Sequence, residues 1–172
     1  MIIVGEKIIL RAIEPEDNSM LIDLINDPDT ESMIGGKSWP VSWFEQQKWF
    51  EQACKNKEIF RCIISEKDNK KAVGTLILSD IDLVNGVAQI HIKMDKNNGR
   101  GKGYGSDAIN IAVKYAFNEM RLNCIYAQIL EYNEISVHLF EKCGFEKEGV
   151  LKSRIFKNGK YHNLLSYSKV KE

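Results

Sequence analysis

The chain has only three prolines and four cysteines in 172 residues, and no apolar run approaches the length of a membrane span. Cys54, Cys62, Cys124 and Cys143 form no CxxC pair and the three histidines are scattered, so the sequence indicates neither a metal site nor a disulfide framework. Reduced thiols in a cytoplasmic protein are the expectation. The opening MIIVGEKIILR lacks the basic start and long apolar core of a secretory leader, and a span needs roughly 20 apolar residues, so no membrane partner is expected. Charge of neither sign is in excess: Lys plus Arg and Asp plus Glu both number 24, which leaves no basic footprint for nucleic acid. Repeats, linkers and low-complexity segments are also missing. What is present is 44% hydrophobic residues, enough to bury a core, in a length that suits one domain over residues 1–172.

Periodicity and turn chemistry divide the chain into seven strands and four helices. Lys7 to Ala12 reads as a first strand, and Glu14-Pro15-Glu16-Asp17 as a helix start with proline in the first turn and carboxylates at the positive dipole end. That helix runs to about Asn26, where Asp27-Pro28-Asp29 stops it. Ser42-Trp43-Phe44-Glu45 has the spacing of a capping box and opens a second helix toward Lys55. Ile59 to Ser65, Ala72 to Ile81 and Val87 to Met94 follow as strands two to four, the last two joined at the hairpin signal Asn85-Gly86. Along the fourth strand Gln89, His91 and Lys93 share one face and Ile90, Ile92 and Met94 the other. Ile109, Ala112, Val113, Ala116, Phe117 and Met120 recur at helical spacing, which predicts a helix over Ser106 to Met120. Ile125 to Leu130 is a short fifth strand. Asn133 caps a helix to Cys143, Gly144 is its left-handed end, and Asn158-Gly159 joins Val150–Phe156 to Tyr161–Lys169.

Between the fourth strand and the third helix lies Asn97-Asn98-Gly99-Arg100-Gly101-Lys102-Gly103-Tyr104-Gly105, which presents backbone N–H groups at a helix N-terminus and suits an anion such as phosphate. Neither G-x-x-x-x-G-K-[ST] nor G-x-G-x-x-G is present, which argues against P-loop and Rossmann chemistry. Arg100-x-x-Gly103-x-Gly105 in this position resembles the pyrophosphate-binding pattern [QR]-x-x-G-x-[GA] of the GNAT superfamily of N-acetyltransferases. A second stretch, from Asn133 through Ser136 and Phe140 to Gly144-Phe145, resembles that family's N-x-x-[SA]-x-x-x-[YF]-x-x-x-G-F helix. The order of elements is similar to the branch containing ribosomal-protein and spermidine acetyltransferases, over nearly the whole chain.

The resemblance implies an α/β (α+β) GNAT fold: a mixed, mostly antiparallel sheet of the seven strands, splayed between the fourth and fifth and flanked by the four helices. It implies acetyl-CoA as cosubstrate, lying in the splay, with its pyrophosphate on the amides of Arg100, Gly101, Lys102, Gly103, Tyr104 and Gly105. The backbone near Ile92 and Met94 would pair with the pantetheine and steady the thioester oxygen. Asn133 would touch the cofactor arm and Phe140 would pack on it. Arg100 and Lys102 read equally well as solvated loop cations.

An amine of pKa about 10 needs a base before it attacks. Many relatives carry a glutamate on the fourth or fifth strand, but the matching positions are Gln89 and Gln128. His91, whose ordinary pKa of about 6.5 suits the task, and Glu131 remain as candidates, each with a purely structural reading beside it. The family's general-acid tyrosine corresponds to Phe140. Ser136 or Tyr132 could substitute, and a thiolate leaves tolerably without help, at a cost of about 10²-fold or more.

Seven carboxylates between Glu14 and Glu31, with no Lys or Arg among them, read either as a solvated helix face or as an attraction for a polycation. Trp39, Trp43, Trp49 and Phe50 read as core or as pocket wall. The expected acceptor is the primary amine of a small molecule such as a polyamine or amino sugar. A peptide N-terminus is the alternative, and an acyl-CoA sensor without turnover a third reading. A homodimer is compatible with the resemblance.

Overall fold

The structure, a computed structural model, describes residues 2–36 and 39–172. Eight strands form one sheet in the order β1 (Ile3–Val4), β2 (Ile8–Arg11), β3 (Phe60–Glu66), β4 (Ala72–Asp82), β5 (Val87–Met94), β6 (Cys124–Leu130), β8 (Lys160–Val170), β7 (Glu146–Lys157). Every neighbouring pair is antiparallel except β5 with β6. The expected fourth and fifth strands are therefore β5 and β6. The helices are α1 (Asn18–Asn26), α2 (Pro28–Ser32), α3 (Trp43–Lys55), α4 (Tyr104–Asn118) and α5 (Glu134–Lys142).

One strand and one helix exceed the expectation. The two-residue β1 is held by a contact from far along the chain: the Asp107 carboxylate on α4 accepts from the backbone N–H of Glu6, Lys7 and Ile8 at 3.2, 2.8 and 3.1 Å. A side chain at Gly5 would collide with that carboxylate. The extra helix arises because Asp27 stops α1 in an extended conformation and then caps a new turn, its Oδ2 accepting from Thr30 N and Oγ1 at 2.9 and 2.6 Å, with Pro28 following.

Local signals otherwise act as their chemistry predicts. Ser42 Oγ accepts from Glu45 N while Glu45 Oε2 accepts from Ser42 N, the reciprocal capping box of α3. Asn133 Oδ1 accepts from Ser136 N at the start of α5, and Gly144 ends it at φ +79°. Asn158 and Gly159, both left-handed, make the two-residue turn between β7 and β8.

The sheet is covered on both faces. On one, Ala108, Ile109, Ala112, Val113, Ala116 and Phe117 of α4 pack on Leu10, Cys62, Leu76, Leu78 and Ile90, forming the main core. On the other, α1 and α3 lie over β3, β4 and β5. A buried hydrogen bond from Gln46 Nε2 of α3 to Asn18 Oδ1 of α1, 3.0 Å long, locks these two helices together.

Candidate active site

Strands β5 and β6 pair only at Val87–Cys124, Ala88–Ile125 and Gln89–Tyr126. Beyond Gln89 they diverge: β6 continues against β8, and β5 continues against β4 with its other edge lacking a strand neighbour. The chain leaving β5 enters the glycine segment. Gly101 and Gly103 are both left-handed, at φ +77° and +81°, on either side of Lys102, and Gly103 is the N-cap of α4. Alternation of this kind turns successive amides toward one point, and the helix dipole adds to the attraction for an anion there. Apart from its chain neighbours, no heavy atom of the described residues lies within 4 Å of where a Gly101 side chain would begin. An open cradle of amides at the mouth of a strand splay fits the pyrophosphate and extended arm of acetyl-CoA.

A cavity of about 520 Å³ opens on the sheet face beneath α1 and α3. Its floor follows from register. Arg61 pairs with Ile77 and Ile77 with His91, giving one row across β3, β4 and β5; Thr75 and Lys93 form the next row. Leu21, Leu24 and Ile25 of α1, Gln46 and Trp49 of α3, and the segment Trp39-Pro40-Val41 complete it. Ile92 borders the cavity too, while its side-chain tip stands 3.9 Å from the Cβ position of Gly105 at the start of α4. This one residue of β5 therefore adjoins both the cavity and the helix that follows the amide cradle.

His91 stands in the cavity with part of its ring exposed. Its Nε2 lies 2.9 Å from Ser79 Oγ, and Ser79 Oγ donates to Asp80 Oδ2 at 3.0 Å. A hydroxyl has one proton, and Asp80 takes it, so His91 Nε2–H donates to Ser79 and Nδ1 carries the lone pair. Burial pushes the imidazole below its ordinary value, outweighing the opposite pull of Asp80. The ring is therefore neutral at pH 7. Asp80 itself is left-handed at φ +49°, in the irregular stretch where β4 and β5 lose register between Ser79 and Asp82.

Other expected site residues are dispersed. Glu131 is absent from the cavity wall; its carboxylate accepts from Asn163 N and Nδ2 at 3.0 and 2.9 Å, and these bonds hold it ionised, below the usual carboxylate range. It anchors β8 to the end of β6. Phe140, expected on the cofactor arm, is 3% exposed and meets Phe145 edge to face, which leaves almost no surface for a ligand. Gly105, expected in the pyrophosphate cradle, is buried, and a Cβ there would lie 3.3 Å from Leu139, so its small size serves the packing of α4 on α5. Tyr104 turns its hydroxyl to Glu66 at 3.0 Å, and Lys102 pairs with the same carboxylate at 3.5 Å. Arg100 is exposed. Asn133 and Tyr132 reach back to α2, donating to the carbonyls of Met33 and Ser32 at 2.9 and 2.6 Å. Ser136 is half-buried at the start of α5; Met94 packs at the edge of the main core. Gln89 sits at the last β5–β6 pair and Gln128 is exposed opposite Ser166.

The aromatic stripe also differs from its spacing: Gln46 and Trp49 face the cavity, while Trp43 and Phe44 are exposed. The acids of the first helices are largely engaged within the fold. Asp17 forms a double hydrogen bond with Arg11 at 2.7 Å, Asp27 and Asp29 hold Lys96, and Glu31 holds Lys157. Arg61, Ser79, Asp80 and Lys93 went unremarked in the sequence as site residues, because only strand register places them together. Among the described residues no group of three or more His, Cys, Asp and Glu is placed to hold a metal ion, and no helix is long and apolar enough to cross a membrane.

Comparison with known proteins agrees with this geometry. The acetyltransferase (GNAT) domain profile matches residues 7–146. The SPbeta prophage-derived uncharacterized N-acetyltransferase YokL of Bacillus subtilis is 31% identical, over 98% of this chain and 92% of its own length. Spermidine N-acetyltransferase from Vibrio cholerae, solved in complex with CoA and spermine, superposes with a TM-score of 0.87 at 26% identity, covering 95% of each chain. A dodecameric structure of the Vibrio cholerae enzyme in an intermediate state gives 0.79 at 26% identity, over 95% of this chain and 94% of that one. With its splayed sheet, its amide cradle before α4 and a matching profile over most of its length, this chain belongs to the GNAT family of acetyl-CoA-dependent N-acetyltransferases.

Proposed function

We propose that the β5–β6 splay holds acetyl-CoA and that the cavity on the opposite side of Ile92 holds the acceptor. The chain transfers an acetyl group from acetyl-CoA to the amine of a small molecule. Ile92 carries the assignment of sites, because it adjoins both the cavity and the start of α4. In this reading the amides of Arg100 to Gly103 hold the pyrophosphate, with Arg100 and Lys102 adding positive charge. The free edge of β5 near Ile92 and Met94 lies along the pantetheine, and Asn133 and the half-buried Ser136 flank the arm from α5.

Acetyl-CoA supplies an acyl group activated as a thioester. The residues of the chain supply position and a proton acceptor. His91 Nδ1 takes the proton from the bound ammonium, leaving a lone pair on nitrogen to form the C–N bond as the C–S bond breaks. Ser79, held by Asp80, fixes the tautomer that makes this possible. The nitrogen sheds its second proton to solvent as the amide forms, CoA leaves as a thiolate and takes a proton from solvent, and His91 later releases its own proton to solvent. Backbone N–H groups on the free edge of β5 offset the charge that develops on the carbonyl oxygen.

Three broader readings belong to the same proposal. The dodecameric neighbour supports self-association, with a homodimer as its simplest unit. Four free thiols support a reducing, cytoplasmic setting. The continuous sheet supports residues 1–172 as one catalytic domain.

Calorimetry tests the cofactor half directly. Gly101→Val places a branched side chain in an open left-handed cradle, so acetyl-CoA binding should fall at least about tenfold while the circular dichroism spectrum is unchanged. Unaltered affinity in a folded variant would remove the cradle from the binding site.

A further inference from the structure

The cavity contains two cations that have no ion-pair partner among the described residues. Arg61 lies half-buried against the face of Trp49, with its guanidinium carbon 5.1 Å from the ring centre. Its Nε is buried with no hydrogen-bond partner among the described residues. Lys93 stands in the adjoining row, and no carboxylate among the described residues comes within ion-pairing distance of its ammonium. Burial lowers the pKa of both groups, most directly because neither has a close counter-ion.

The carboxylates nearby have other partners. Glu45, which borders the cavity, is bound to Ser42 N and Oγ at 2.8 Å each. Glu31, which acts on Lys93 from a distance, is paired with Lys157 at 2.7 Å. Asp80 accepts from Ser79. Most of the remaining wall is apolar and aromatic, with Leu21, Leu24, Ile25, Trp39, Val41 and Ile77, and Gln46 and Thr75 are its uncharged polar members. A polycation entering this space would bring further positive charge beside Arg61 and Lys93, whereas an anion would satisfy both. An arginine fixed against an indole is a rigid fork suited to a carboxylate or phosphate.

We infer that the acceptor is a primary amine carrying an anionic group on an apolar or aromatic body, with Arg61 and Lys93 binding the anion while the amine faces His91. The inference rests on the acceptor cavity assigned above and names the chemical class that the cavity selects. It separates this chain from the spermidine acetyltransferases it resembles, whose acceptor is a polycation.

Matched acceptors test it. Thiol release from acetyl-CoA is measured with 4-(aminomethyl)benzoate and phenylalanine against their carboxamides, with 2-aminoethyl phosphate and 4-(aminomethyl)phenyl phosphate, and with spermidine and spermine. The expected result is a kcat/KM at least about tenfold higher for a carboxylate or phosphate acceptor than for its uncharged counterpart or the polyamines. The carboxylate and phosphate arms show which anion is preferred. Arg61→Gln and Lys93→Met should each collapse that ratio toward unity through KM. Equal rates for anion and carboxamide, or faster turnover of spermidine, overturn the inference and leave acetyl transfer standing. Absence of release with every amine instead contradicts the transfer reading. Titration of tryptophan fluorescence in the presence of CoA then decides the charge preference, since Trp39 and Trp49 line the cavity. Tighter binding of 4-(aminomethyl)benzoate than of its amide, lost in Arg61→Gln, sustains the inference, and equal binding overturns it.

Discussion

At the scale of single residues, the proposed chemistry turns on which atom of His91 is free. The Asp80–Ser79–His91 chain of hydrogen bonds places the proton on Nε2 and leaves the Nδ1 lone pair for the role of base proposed above. Burial places the imidazole pKa below about 6.5, so the ring is competent at neutral pH and is lost as a base only on acidification. The kcat/KM profile should therefore have an acidic limb whose midpoint lies below that value. Ser79→Ala should move the midpoint and lower kcat while KM for acetyl-CoA holds, because it frees the tautomer without touching the cradle. A limb that stays in place would assign the titration to another group. Glu131 makes a contrasting case. Its oxygens hold Asn163, so Glu131→Gln should lower the melting temperature and leave kcat close to wild type. A large fall in kcat with unchanged melting would restore Glu131 to the chemistry.

At the scale of elements, the roof of the cavity depends on one buried hydrogen bond between Gln46 and Asn18. Asn18→Ala leaves the Gln46 amide without that partner, at a cost of about 1–3 kcal/mol. Because the bond ties α3 to α1, the expected signature is a raised KM for the acceptor with unchanged acetyl-CoA affinity, measured by initial rates and calorimetry. Elements whose signals are local were legible in the sequence. Ser42 and Glu45 are three residues apart, Asn133 caps its own helix, and Asn158-Gly159 turns on its own dihedral angles. The elements that escaped depend on distant partners. The strand β1 is held by Asp107, about a hundred positions further along the chain, and α2 follows a helix stop that doubles as a cap. Gly105 was legible as part of a motif but not in its role, because Leu139, its neighbour in space, lies on another helix.

At the scale of the whole molecule, the family and its cosubstrate were legible because both are written in contiguous motifs, Arg100 to Gly105 and Asn133 to Phe145. The cavity proposed for the acceptor was not. Its floor is a row of residues from three strands, Arg61, Ile77 and His91, brought together by register alone, and its walls come from two helices and an irregular segment. The local acidity between Glu14 and Glu31 read either as a solvated helix face or as an attraction for a polycation, and several of those acids are bound to Arg11, Lys96 and Lys157 within the fold. The cations that line the cavity are Arg61 and Lys93, and its one acidic lining residue among those described, Glu45, is bound to Ser42. In the proposed reading, recognition of the acceptor is thus a property of the assembled sheet, whereas recognition of acetyl-CoA is nearly a property of one segment.

The account is tested most directly by amine-dependent thiol release from acetyl-CoA, compared between the wild-type enzyme and His91→Ala. The account predicts release that requires an amine, yields the acetylated amine by mass, and falls about 10²-fold in the variant with acetyl-CoA affinity unchanged. Release that proceeds equally without an amine, or that is unaffected by His91→Ala, would contradict it.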